Sequence, residues 1–240
     1  MKKMLVALLS FAVVSANAQT LTVDEVIQKY TTNMGGLEAF NKVKTAKITG
    51  ALTSQSIDMP FTMQIVNGQS MRMDVDAKGK MINNVYHNGK GWKVNPYAGA
   101  ETPTEVTGAE LQSLKPQASL ANNLMDYKSR GHQVELQGQE DVEGVKTYKI
   151  KLTNKEDGKV TTYFISLTDF VLIKSVSKRD FGNGNVFDAE TFYSDIKTIG
   201  GIKFSMNFIQ KIEGQVFQEV KYDKVELNVD VDAKIFEMPK

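Results

Sequence analysis

The sequence predicts an α+β chain, mainly β: an unclosed antiparallel β-barrel, a curled meander sheet of about ten strands, with a helical lid or plug on its concave face. Three observations predict it. Apolar and polar residues alternate with period two through much of 45–95 and 132–222, as in strands with one buried and one solvated face. The pairs Asn67-Gly68, Asn88-Gly89, Asp157-Gly158, Asn183-Gly184 and Glu213-Gly214 punctuate these runs like hairpin turns. Helical spacing is confined to two stretches, near 22–43 and 97–131. Short local connections then imply up-and-down antiparallel order.

The chain opens like a secretory signal peptide over residues 1–18. Lys2 and Lys3 form a basic start, Met4 to Val14 an apolar run, and Ala16-Asn17-Ala18 a cleavage site. That run is too short to span a bilayer, which takes about 20 apolar residues. No cysteine follows it, so no lipid anchor is expected on the mature chain. Residues 19–240 are expected to form one exported domain.

Thr22-Val23-Asp24-Glu25 has capping-box spacing and opens a helix. Val23, Val26, Ile27, Tyr30 and Met34 form its apolar stripe, and Gly35-Gly36 stops it. Leu37, Phe40 and Val43 suggest one more short helical piece. The period then changes to two. Ala46, Ile48 and Leu52 mark one strand, Met59, Phe61, Met63 and Ile65 the next, and Met71, Met73 and Val75 a third. Residues 80–95 form two strands around Asn88-Gly89, a pair suited to a type I′ turn, and Pro96 ends the second.

Residues 97–131 read as a helical insertion. Thr107-Gly108-Ala109-Glu110 repeats the capping-box spacing. Pro116 suits the first turn of another helix carrying Leu120, Leu124 and Tyr127 on one face, ended by Gly131. Strands resume through His132, Val134 and Leu136, then Tyr148, Ile150 and Leu152, and a long hairpin of Ile202–Ile212 with Val216–Tyr222.

The side chains suggest little chemistry. Removing Lys2 and Lys3 from the 29 basic residues leaves 27 against 28 acidic ones, so no basic excess points to nucleic acid. Two histidines without ligand-spaced partners and no cysteine argue against a transition-metal site. Asp74, Asp76 and Gly79 mimic the start of a calcium loop, but Val85 stands where a glutamate is needed. There is no G-x-S-x-G elbow and no P-loop. No cofactor and no enzymatic activity are expected. Methionine is the unusual feature: Met59, Met63, Met71, Met73 and Met81 fall within two adjacent hairpins. Methionine adapts to ligands of variable shape. These residues suit either a packed core under the helices or a deformable apolar cavity.

Asn88-Gly89-Lys90-Gly91-Trp92-Lys93-Val94-Asn95-Pro96 resembles the D/N-G-K-x-x-W-x-x-N-P hairpin of the LolA/LolB-like lipoprotein carriers, one residue shorter between Lys90 and Trp92. The ending Asp232–Pro239 is similar to that family's closing strand, and the order of elements agrees. The resemblance implies an unclosed β-barrel whose apolar concave face is lidded by helices and holds acyl chains of lipoproteins on their way to the outer membrane. One departure stands out. Those carriers have an Arg-Pro pair before the strand preceding the hairpin, whose arginine helps to hold the lid shut. Asn67-Gly68 occupies that place here.

The reading that follows is a periplasmic lipid- or lipoprotein-binding protein involved in outer-membrane lipoprotein sorting. Its expected cavity residues are Phe61, Met63, Ile65, Met71, Met73 and Trp92 on the sheet, with Leu120 and Leu124 on the lid. Expected partners are acyl chains of lipoproteins or other lipids and the inner- and outer-membrane lipoprotein-transport proteins; a monomer is expected. The alternative is a cell-envelope sensor or protein-interaction module on the same scaffold.

Overall fold

The computed structural model describes residues 21–180 and 184–239. The expected signal peptide and the Asn183 half of one expected turn lie outside the described residues.

Thr22 caps α1 (Val23–Asn33) as its spacing predicts: its hydroxyl accepts from Glu25 N–H, and its own N–H reaches the Glu25 carboxylate at 2.7 Å. After a glycine elbow, α2 (Leu37–Lys42) follows. Then come β1 (Thr45–Ser54), β2 (Ile57–Val66), β3 (Ser70–Ala77), β4 (Lys80–His87), β5 (Lys90–Asn95) and β6 (Ala100–Val106). A second run comprises β7 (Gln133–Val142), β8 (Val145–Thr153), β9 (Val160–Ser166), β10 (Leu172–Asp180), β11 (Val186–Ile199), β12 (Ile202–Ile212) and β13 (Gln215–Leu227). Asn88 has φ 46° and Gly89 φ 85°, the left-handed pair of a type I′ turn.

All thirteen strands form one antiparallel sheet in the order β6-β5-β4-β3-β2-β1-β13-β12-β11-β10-β9-β8-β7. It is therefore two meanders joined through β1 and β13, not one run in chain order. β6 and β7 are its two edges, so the sheet is unclosed. At the central seam the register shifts between Thr49 and Gly50, where β13 carries one extra residue, Asp223. A Cβ at Gly50 would stand 2.0 Å from the Lys221 carbonyl oxygen, so only glycine lets β13 approach there.

Thirteen strands exceed the expected ten or so, and part of the excess lies in the expected helical insertion: β6 occupies residues 100–106. The rest of that insertion is less helical than its spacing predicts. It contains α3 (Gly108–Leu114), a 3-10 turn (Lys115–Ala118), an irregular stretch and α4 (Tyr127–Arg130). Thr107 makes no side-chain cap, and Glu110 instead pairs with Lys93 at 2.7 Å. No helix runs from Pro116 through Leu124. The Asn122 carboxamide oxygen takes the N–H groups of Leu124 and Met125, a local turn that competes with helix.

The apolar residues form three clusters. One packs α1, α2 and α4 against β8, β9 and the start of β12, around Tyr30, Phe40, Leu124, Ile150 and Ile202. A second lies under α3 and the 3-10 turn, around Ile48, Phe61, Met63, Ile65, Met71 and Leu114. The third is small and holds Val85, Trp92 and Phe236.

Candidate functional site

The concave face is set by strand register. Phe61 pairs with Val75, Met63 with Met73 and Ile65 with Met71, so β2 and β3 present six apolar side chains on one face. On the other side of β2, Ile48 of β1 pairs with Met63. Farther along, the Phe208 ring meets Tyr193 edge to face and Tyr222 at a tilt, with ring centroids 5.7 and 4.9 Å apart.

The helices and the lid do not fill this face. A cavity of about 280 Å³ remains between them and the sheet. Ile48, Met63, Ile65, Tyr193, Phe204, Phe208 and Tyr222 line it from the sheet; Tyr30, Met34 and Phe40 from α1 and α2; Leu120, Asn122 and Met125 from the lid. Its phenols carry no charge at neutral pH. Burial raises Tyr30 and Tyr193 above the ordinary tyrosine range and pushes Tyr222 up to about 12. Lys203 is the one charged side chain among the lining residues. Among the described residues no group of three or more His, Cys, Asp or Glu side chains is placed to hold a metal.

The lid is fastened at two places. At Asn67 the amide NH₂ donates to the carbonyls of Phe40 and Val43, both at 2.9 Å, and its oxygen accepts from Leu120 N–H at 3.0 Å. The next N–H, of Gly68, donates to Ala118 carbonyl at 2.7 Å. The Asn67-Gly68 turn thus ties α2, β2 and the lid together and holds Leu120 over the cavity. Farther along, Asp24 of α1 accepts from the Tyr127 hydroxyl and from Lys128 Nζ, which joins α1 to α4. The Lys128 hydrogen bond, and then that of Tyr127, hold the Asp24 carboxyl below its usual range.

Of the eight residues the sequence puts forward, Met63, Ile65 and Leu120 line the cavity. Phe61, Met71 and Met73 share the face but pack in the cluster under α3. Leu124 is fully buried on the helix side. Trp92 does not belong with them. The two-residue turn pairs Tyr86 with Gly91 and Val85 with Trp92. Met71 pairs with Tyr86, so Gly91 carries the concave parity and Trp92 points to the outer face. There its indole N–H donates to Phe236 carbonyl at 2.9 Å, and the Arg72 guanidinium lies 5.5 Å from the ring. Arg72 also donates to Ile235 carbonyl at 2.8 Å. Trp92 thereby anchors the C-terminal segment. Tyr193, Phe204, Phe208 and Tyr222 also line the cavity; their alternation in the sequence marks strands, but not which face is covered.

Neither a comparison of the sequence with protein-family models nor one with curated proteins finds a match. Solved structures do match over nearly the whole chain. A LolA superfamily protein from Nitrosomonas europaea has a TM-score of 0.60 at 13% identity, covering 91% of this chain and 98% of that one. A DUF1329 family protein from Desulfovibrio piger has 0.61 at 11%, covering 90% and 97%. A domain described as an outer membrane lipoprotein-sorting protein, from Vibrio parahaemolyticus, has 0.60 at 8%, covering 90% and 97%. At these identities the likeness is one of fold.

Proposed function

This chain has the LolA-like fold, and from it we propose that the protein is a periplasmic lipid- or lipoprotein-binding protein, active in outer-membrane lipoprotein sorting, that holds acyl chains in the cavity on its concave face. The observation that carries this reading is the apolar cavity of about 280 Å³ left between sheet and lid. Each CH₂ removed from water contributes about 0.8 kcal/mol, so an acyl chain gains several kcal/mol by entering such a space. Adaptable methionines, Met34, Met63 and Met125, stand in its walls. The protein acts by binding and release, not by catalysis.

It works as a monomer in this reading, because both sheet edges are blunted. β6 contains Pro103, Glu101 and Glu105, and β7 is bulged between Leu136 and Gln139. No helix among the described residues is long and apolar enough to cross a membrane.

Native mass spectrometry of the purified protein tests the reading. An acyl-sized adduct should leave on delipidation and return with a fatty acid. No adduct in either state would count against it. One observation favours the interaction-module alternative: at the far end of the long hairpins Val186 and Val216 are 48% and 62% exposed. Capture of one stable protein partner, with no lipid, would support that alternative.

A further inference from the structure

Among the described residues three phenols line the cavity, and their hydroxyls differ in what they do. The Tyr30 oxygen accepts from the Asn122 amide at 2.8 Å, and Tyr193 shares a hydrogen bond with Ser175 at 2.8 Å. The Tyr222 hydroxyl has no hydrogen-bond partner among the described residues. Burial, and then the neighbouring Tyr193, push it up to about 12, so it keeps its proton at neutral pH and stands as a donor. Its ring is held 4.9 Å from that of Phe208 and 6.0 Å from that of Phe61. A buried hydroxyl left unpaired is costly, and an acceptor inside the cavity removes that cost.

Polarity changes along the concave face on either side of this phenol. Phe208 pairs with Tyr193 and with Val220; two residues farther along each strand, the next concave row is Thr191, Gln210 and Gln218. The Gln210 carboxamide oxygen accepts from Gln218 at 2.8 Å and from Arg179 at 3.3 Å. Its NH₂, the Gln218 oxygen and the Thr191 hydroxyl are left for another partner. In the opposite direction the lining turns apolar, with Ile48 and Ile65 on the sheet and Phe40 and Leu120 over them. Among the lining residues Lys203 alone is charged, and its ammonium donates to Asn33, which does not line the cavity. A carboxylate at Tyr222 would therefore be buried without a counter-charge, so an uncharged acceptor suits the site.

We propose that the cavity takes an acyl chain in ester or amide linkage to an uncharged head, with the methyl end among Ile48, Ile65 and Leu120, the carbonyl oxygen accepting from Tyr222, and the head lying on Thr191, Gln210 and Gln218. This rests on the lipid-binding reading above and adds the class of linkage and the direction of the chain.

The test uses delipidated protein and a neutral naphthylamine dye displaced by monotetradecanoylglycerol or by monotetradecylglycerol ether, which has the same chain length and head but no carbonyl. The wild type should prefer the ester by about fivefold, which corresponds to about 1 kcal/mol. Y222F, which keeps the ring, should lose the preference through weaker binding of the ester. Q210L should weaken ester and ether alike. Equal displacement by ester and ether in the wild type, or a preference that survives in Y222F, overturns the Tyr222 assignment and leaves the cavity reading intact. Unchanged affinities in Q210L overturn the placement of the head. A dye that never binds, or that neither competitor displaces, overturns the cavity reading itself.

Discussion

Asn67 is the residue on which the lid depends most. Its amide satisfies two carbonyls at the end of α2 and one N–H of the lid. Asn67→Ala leaves all three without that partner, at about 1–3 kcal/mol for groups that stay buried. Amide exchange at Leu120 should quicken markedly while that of the β8–β9 core stays unchanged. The turn thus fastens the lid to α2 and β2 by means of a short amide. Trp92 makes the opposite prediction. Trp92→Phe keeps the ring and loses the indole bond to Phe236, at about 1 kcal/mol. It should loosen the C-terminal segment in exchange or proteolysis and leave ligand affinity unchanged, because the ring lies on the outer face. A large loss of binding in W92F would contradict that placement.

Among the elements, the join of α1 to α4 carries a pH dependence. The folded pKa of Asp24 is depressed, chiefly by Lys128 and then Tyr127. Its contribution is therefore complete above the ordinary carboxylate range and fades as pH falls through the lowered value. Lys128 is raised by the same bond, so its share fades only in alkali, as pH rises past the ordinary lysine range. Docking of α4 should be constant around neutrality and weaken in acid below about pH 4. Asp24→Asn should flatten that acid limb in a pH series of thermal unfolding; an unchanged limb would assign it to other carboxylates. Legibility at this scale followed the range of the forces. The α1 cap and the Asn88-Gly89 turn were readable because their partners lie within three residues. The helix expected from Pro116 failed because Asn122 bonds locally to the backbone. Trp92 was misplaced because apolarity alone cannot say which of two covered faces a strand residue joins, although the turn had already fixed the pairing of Val85 with Trp92.

For the whole molecule, the two faces of the sheet differ in how they are closed. On the outer face Lys174 lies 4.5 Å from the Phe164 ring and Lys211 4.2 Å from that of Phe192, each with a glutamate. The C-terminal segment covers Trp92 and Val85. The concave face is closed only in part, by helices and a lid that Asn67 fastens. The seam of β1 and β13, which makes one sheet of two meanders, joins residues some 180 apart in sequence, such as Ala46 and Leu227. Local patterning carries no record of such a pairing, whereas the curl and the apolar face did follow from alternation. The central claim is that this face holds an acyl chain. A crystal structure with a bromine-labelled fatty acid tests it most directly. An anomalous bromine peak is expected inside the cavity, among Met63, Ile65, Leu120 and Phe204. Bromine found only at the exposed hairpin ends, or bound nowhere at saturating fatty acid, would contradict it.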